Sequence, residues 1–135
     1  MEDYFYKVAL TMLPGIGAVT AKSLISYCGS PKAVFKARKK ELVKIPGIGD
    51  HIANAIVGHD VFQQAEQELR FIEQHKIRVL FYLDKEYPNR LKHFNDAPAI
   101  LYYKGNADLN AFRTVAIIGT RKPSPRGTAI CEEII

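Results

Sequence analysis

Apolar residues recur along the first half of the chain at three- and four-residue spacing, the period of an amphipathic helix. From Glu2 to Leu13, Phe5, Val8, Ala9, Met12 and Leu13 fall on one face. Pro14-Gly15-Ile16-Gly17 interrupts the pattern, and a second helix is predicted from Ala18 to Cys28, with Gly29 as its C-cap. Ser30-Pro31 predicts a new start, serine as N-cap and proline at the first helical position. That third helix would carry Val34 and Phe35 inward and Lys32, Lys36 and Arg38 outward. A short helix through Glu41–Lys44 leads to Pro46-Gly47-Ile48-Gly49, another starts near Asp50, and a long polar helix from about Val61 to Lys76 closes this half.

Beyond Lys76 the period changes. Arg78–Leu83 is short, apolar and aromatic and predicts a strand. Tyr87-Pro88 predicts a turn and a helical turn through Leu91, and Ala99–Tyr103 a second strand ended by Lys104-Gly105-Asn106. Thr114–Gly119 is continuously apolar, as expected of a strand buried in a parallel sheet, and Ser124-Pro125 opens a helix that runs to Ile135. The fold class expected is α+β: an all-α domain over 1–76, then over 77–135 the opening of a Rossmann-like α/β domain. A parallel sheet needs further strands, so a longer natural chain is expected.

Leu13-Pro14-Gly15-Ile16-Gly17 and Ile45-Pro46-Gly47-Ile48-Gly49 are one pattern repeated 32 positions apart. The physical reason for the pattern lies in the backbone. Proline ends a helix, the glycines permit a tight turn with φ > 0, and the isoleucine anchors the turn between two helices. Bare amides then point outward at a helix N-terminus, where the dipole also favours an anion, and a nucleic-acid phosphate fits without base contact. The pattern resembles the helix-hairpin-helix motif in its tandem, DNA-binding form. The candidate contacts are Gly15, Ile16 and Gly17, with Lys22 assisting, and Gly47 and Gly49. Asp50 follows the second hairpin and would repel phosphate, so the first hairpin is the favoured site. The competing reading is that both hairpins only join helices.

Composition narrows the class. Of 135 residues 47% are apolar, which excludes a disordered polar tail, and no apolar run approaches the roughly 20 residues of a membrane span. The acidic start Met1-Glu2-Asp3 lacks the basic and apolar regions of a secretion signal, and Cys28 and Cys131 form neither a metal-ligand spacing nor a disulfide scaffold. A reducing, cytoplasmic setting with no metal and no cofactor is expected. Net charge is only +5. Its distribution matters more: six basic residues and one acid lie between Lys32 and Lys44, and four basic residues and no acid between Arg113 and Gly127.

The second basic stretch contains Gly119-Thr120-Arg121-Lys122-Pro123-Ser124-Pro125-Arg126-Gly127, placed after an apolar run and before a helix, where open α/β sheets bind phosphates. Neither a G-x-G-x-x-G fingerprint nor a G-K-S/T loop is present. Three cations, the Ser124 hydroxyl and the first amides of the helix suit a chain of phosphates better than one cofactor. The candidate contacts are Gly119, Thr120, Arg121, Lys122, Ser124 and Arg126; the plainer reading makes Ser124 only a helix cap.

Three blocks then match a known family in order and spacing: Leu83–Leu91 with its Tyr87-Pro88, Asp96–Asn106, and Val115–Arg121 followed by Ser124 and Gly127. They resemble the DNA-processing protein A (DprA, or Smf) family, and the tandem hairpins ahead of them are similar to its helical N-terminal domain. The resemblance implies a non-enzymatic protein that binds single-stranded DNA in natural transformation and recombination and passes it to a RecA-type recombinase. It also implies an extended Rossmann fold, a homodimer at full length and a basic pocket lined by Gly119, Thr120, Arg121 and Ser124. Arg126 departs from the aromatic residue often found there. The recombinase and dimer surfaces would lie beyond Ile135, and the hairpins could also take duplex DNA. The rivals are a helical protein-interaction module and an enzyme, either a helix-hairpin-helix glycosylase or a nucleotide-binding Rossmann enzyme. His51, His59, His75 and His93 pair with no carboxylate in an evident site, which weighs against the enzymes.

Overall fold

A computed structural model describes residues 2–135, with the side chains from Tyr4 onward. Its elements, among the described residues, are α1 (Glu2–Met12), α2 (Ala18–Cys28), α3 (Pro31–Lys36), α4 (Lys39–Leu42), α5 (Asp50–Val57), α6 (Val61–Gln74), β1 (Arg78–Phe81), α7 (Asn89–Lys92), β2 (Ile100–Tyr103) and α8 (Pro125–Ile134). The α+β reading holds, as a helical half followed by a small sheet.

Local chemistry sets several of the helix ends. The Ser30 hydroxyl accepts from the amide of Ala33 at 3.1 Å, with Pro31 at the first helical position of α3. Gly29 closes α2 at φ +91°, and its amide bonds to the Ile25 carbonyl. At the end of α6 the amide of Ile77 reaches back to the Ile72 carbonyl at 2.9 Å while Lys76 sits in the left-handed region at φ +53°. That is a Schellman-type closure with lysine where glycine is usual.

Helix α1 is the centre of the core. Val8, Ala9 and Leu10 are at most 1% exposed, and the helix packs on α2, α3, α6 and β2. Beside it Phe5, Tyr6, Phe35, His59 and Phe62 form one aromatic cluster with ring centroids 4.2 to 6.0 Å apart. Strands β1 and β2 pair antiparallel, Leu80 opposite Leu101 and Phe81 opposite Ile100. Phe81, Ala99 and Ile100 join the helical core, so apolar packing continues across Lys76. Lys7, only 8% exposed, carries its ammonium to 3.9 Å from Asp84 and lies over the Phe81 ring.

The expected third strand is not one. Thr114–Gly119 has no regular secondary structure, and Val115 and Ile118 are 84% and 93% exposed. A strand is stable only when a neighbour satisfies its amides and carbonyls. Among the described residues β1 and β2 satisfy each other, and no strand flanks 114–119. The sheet is therefore two-stranded and antiparallel, and the expected parallel sheet is absent from the described residues. Ser124 nevertheless starts α8 as expected, its hydroxyl accepting from the amide of Gly127 at 3.1 Å.

Candidate nucleic-acid interface

The two hairpins have the same backbone. Gly15 and Gly47 are left-handed, at φ +76° and +82°, and Gly17 and Gly49 are extended N-caps. Between them Ile16 and Ile48 are 8% and 5% exposed and point into the core. Their amides bond back to the carbonyls of Leu13 and Ile45, closing each turn. The carbonyls of Gly17 and Gly49 then accept the first helical bonds, from Ala21 at 2.9 Å and Ala53 at 3.0 Å. Neither N-cap offers a side chain to the leading amides of α2 or α5. A Cβ built on Gly17 or Gly49 meets nothing within 4 Å, so the space before both helices is open at those positions. An anion can approach such amides directly.

The surroundings of the hairpins differ from the expectation. The Lys22 ammonium donates to the carbonyls of Asn95 at 3.0 Å and Phe94 at 3.4 Å, and lies over the Tyr82 ring. It ties α2 to the loop before β2 instead of standing ready for a phosphate. Gly17 and Ala18 also line a cavity of about 330 Å³ shared with Asp96, Pro98 and Tyr102, which puts an acid beside the first hairpin. At the second hairpin the Asp50 carboxylate lies 2.7 Å from the Lys39 ammonium. The repulsion expected of Asp50 is thus offset by a cation from α4, and Arg38, Lys40 and Lys44 stand exposed nearby in sequence.

The basic loop stays outside the core. Gly119, Thr120, Arg121, Lys122, Ser124 and Arg126 are all exposed. No ion pair involves Arg121, Lys122 or Arg126 among the described residues. The Thr120 hydroxyl donates to the Lys122 carbonyl at 2.9 Å, which bends the loop and carries both cations on one turn.

What leads into this loop was not assigned a role from sequence. Tyr87 is fully buried, and its hydroxyl donates to the Pro98 carbonyl at 2.6 Å. The Asn89 amide donates to the Asn110 side chain at 2.7 Å. Arg90 donates to the carbonyls of Ala111 at 3.0 Å and Phe112 at 2.9 Å. Tyr87-Pro88-Asn89-Arg90 is thus an anchor that fixes the chain at 110–112, from which the basic loop departs. The Tyr-Pro pattern marked it as a motif; the partners, 21 and 22 positions away, were out of reach of any local signal.

The fold therefore comprises a helix-hairpin-helix tandem joined through one core to a short sheet and a basic loop. Comparison with known proteins gives the same two parts. Residues 8–58 match the family described as SAM-like helix-hairpin-helix tandem. Residues 78–135 match the family described as DNA recombination-mediator protein A. The DNA processing protein DprA of Streptococcus pneumoniae is 45% identical over 53 residues, which is 39% of this chain and 19% of that protein. Protein Smf of Borreliella burgdorferi is 37% identical over 59 residues, 44% of this chain and 19% of the relative. UvrABC system protein C of a Wolbachia species is 44% identical over 58 residues, 43% of this chain and 10% of the relative. No solved structure gave a significant match. The resemblance read from the sequence stands: the chain is similar to the N-terminal part of the DNA-processing protein A family, a hairpin tandem followed by the start of the family's domain. It spans about a fifth of the DprA and Smf relatives and a tenth of the UvrABC one. No helix among the described residues is long and apolar enough to cross a membrane.

Proposed function

We propose that this chain is the DNA-gripping part of a DprA-type protein that binds single-stranded DNA by its phosphate backbone. In this reading 1–76 is the hairpin module and 77–135 the opening of the extended Rossmann-like domain. The complete protein is a cytoplasmic, non-enzymatic homodimer that passes the strand to a RecA-type recombinase in transformation. The observation that carries the proposal is the repeated hairpin, with left-handed Gly15 and Gly47 and open helix N-termini behind Gly17 and Gly49. The exposed Arg121, Lys122 and Arg126 supply a second cationic surface. Of the hairpins, the second has the more favourable surroundings, because Lys39 stands beside Asp50 while Asp96 lies beside the first.

The test is titration of the chain into a labelled oligothymidine at several salt concentrations. Backbone binding gives a linear log–log fall of about −0.7 per phosphate contacted. Arg121→Ala should flatten that slope by roughly one contact and weaken every base sequence alike. Affinity independent of salt would overturn the proposal, and an Arg121→Ala slope equal to wild type would remove the loop from the interface.

A further inference from the structure

Apart from the hairpin amides and the basic loop, the helical half has an open groove of about 580 Å³ between α2, α3 and α4. Its floor is apolar and low: Ala33, Ala37 and Ile45 present small or buried side chains. One wall is Tyr27, a residue 62% exposed whose ring makes no ring contact among the described residues. The rim carries Lys36 and Lys44, both exposed and neither in an ion pair among the described residues. Lys44 and Ile45 also lead directly into Pro46-Gly47-Ile48-Gly49, so the groove is continuous with the second hairpin.

One acid lines the groove, Glu41. Its carboxylate accepts from the Arg38 amide at 2.8 Å, which directs it to the start of α4. Cys28, the remaining lining residue, is held as a neutral thiol by burial and by the Glu41 charge. The groove thus combines an unpartnered aromatic ring, a small-residue floor and two free cations against a single committed acid. A flat apolar group flanked by negative charge complements it. A nucleobase with its neighbouring phosphates is such a group, and aromatic platforms beside cations are how proteins hold single strands. Bases inside a duplex are stacked and paired, with no free face for a side chain.

We propose that this groove receives one unstacked base of a single strand, laid against the Tyr27 ring, with Lys36 and Lys44 on the adjoining phosphates and the strand continuing onto the second hairpin. The inference rests on the DNA-binding reading above and deepens it, because it makes the helical half a reader of single strands specifically. Nothing in the groove offers a set of donors and acceptors matched to one base edge, so the site is indifferent to sequence.

The test uses the whole chain and three probes of equal length: oligothymidine, the same strand with abasic sites, and a duplex. Wild type should bind oligothymidine more tightly than the abasic strand by roughly tenfold, the scale of one base stacked on an aromatic ring. Tyr27→Ala should erase that difference and leave duplex binding unchanged, while Tyr27→Phe should preserve it. Lys36→Ala should lower the salt slope by about 0.7 on the single strand. Tyr27 is exposed, so a melting curve matching wild type is expected to accompany each variant. Salt-dependent binding that is equal for thymidine and abasic strands would overturn the groove proposal and leave the backbone reading intact. Absence of binding to any probe would overturn both.

Discussion

Replacing Tyr87 by phenylalanine isolates one hydrogen bond in the Tyr87-Pro88 block that carries the family resemblance. The ring is 0% exposed and its hydroxyl donates to the Pro98 carbonyl at 2.6 Å. Phenylalanine keeps the ring and its burial, so the apolar contribution is retained and only the bond is lost. A neutral hydrogen bond contributes about 1 kcal/mol net. The bond is only partly buried, so the cost stays near that value. In a folded unit of this size about 1 kcal/mol lowers Tm by roughly 3 to 8 °C. Tyr87→Ala also empties the ring's volume and should cost about 3 to 5 kcal/mol.

The same variant makes a prediction at high pH. Burial raises the Tyr87 pKa above the ordinary tyrosine value of about 10. The folded state then holds its proton more tightly than the unfolded state. Stability from this group is complete below pH of about 10 and is lost as pH climbs through the folded value. Tyr82 and Tyr102 are raised by burial as well, so the wild type should lose stability steeply on the alkaline side. Tyr87→Phe should lose less between neutral pH and pH 11, because one of the groups whose pKa burial raises is gone. Circular-dichroism melts at both pH values give the comparison, and oligonucleotide affinity at neutral pH should not change. A Tm within a degree of wild type at neutral pH, or an undiminished alkaline loss, would refute the assignment of Tyr87 as a buried donor.

The two glycines of each hairpin should separate stability from binding. Gly47→Ala forces a side chain into the left-handed region and should cost about 1 to 2 kcal/mol in urea unfolding. Gly49→Ala meets open space outside the left-handed region, so only the poorer N-cap should count, about 0.5 kcal/mol, while the added methyl at the start of α5 should weaken oligonucleotide binding. His59 has a buried Nδ1 with no hydrogen-bond partner and a pKa lowered by burial, against the opposing charge of Asp60. Its contribution is therefore present above pH of about 6.5 and lost as pH falls through the depressed folded value. His59→Phe should remove that acid-side loss, read as a Tm difference between pH 7 and pH 5 that shrinks relative to wild type. Arg90→Ala deletes both bonds to the Ala111 and Phe112 carbonyls. It should speed proteolytic cleavage within 112–124 while moving the global melt little; an unchanged cleavage rate would show that the anchor does not restrain the loop.

The parts of this fold that were legible in the sequence are those whose cause is local. Ser30-Pro31, Gly29 and Ser124-Pro125 mark helix ends because a cap is made within three or four residues of the residue that makes it. The hairpins were legible for the same reason: a proline, two glycines and an isoleucine are a complete set of instructions for one turn. What failed depended on partners elsewhere. The apolar run Thr114–Gly119 has strand composition, but composition cannot supply the neighbour that a strand requires. Lys22 was read as assisting its hairpin, and the carbonyls to which it donates, 72 and 73 positions on, were beyond any local signal. Asp50 looked like a defect until Lys39 was found against it.

That division also bears on the family motif. Residues that mark a family are commonly read as contacts, yet here two of the marked blocks differ in kind. Tyr87 and Arg90 face inward or toward backbone carbonyls and leave little donor capacity for a ligand. Arg121 and Lys122, further along the chain than the anchored carbonyls of Ala111 and Phe112, have no such side-chain partner among the described residues. The first block determines where the chain emerges and the second presents charge from that point. A variant that weakens binding by releasing the anchor should then lower affinity without changing the number of phosphates contacted, since the cations remain and only their placement is lost. A variant that removes a cation should change that number. The salt slope therefore distinguishes the two roles: Arg90→Ala should keep it and Arg121→Ala should reduce it, and equal slopes for both would mean that the loop's charge acts only through its position.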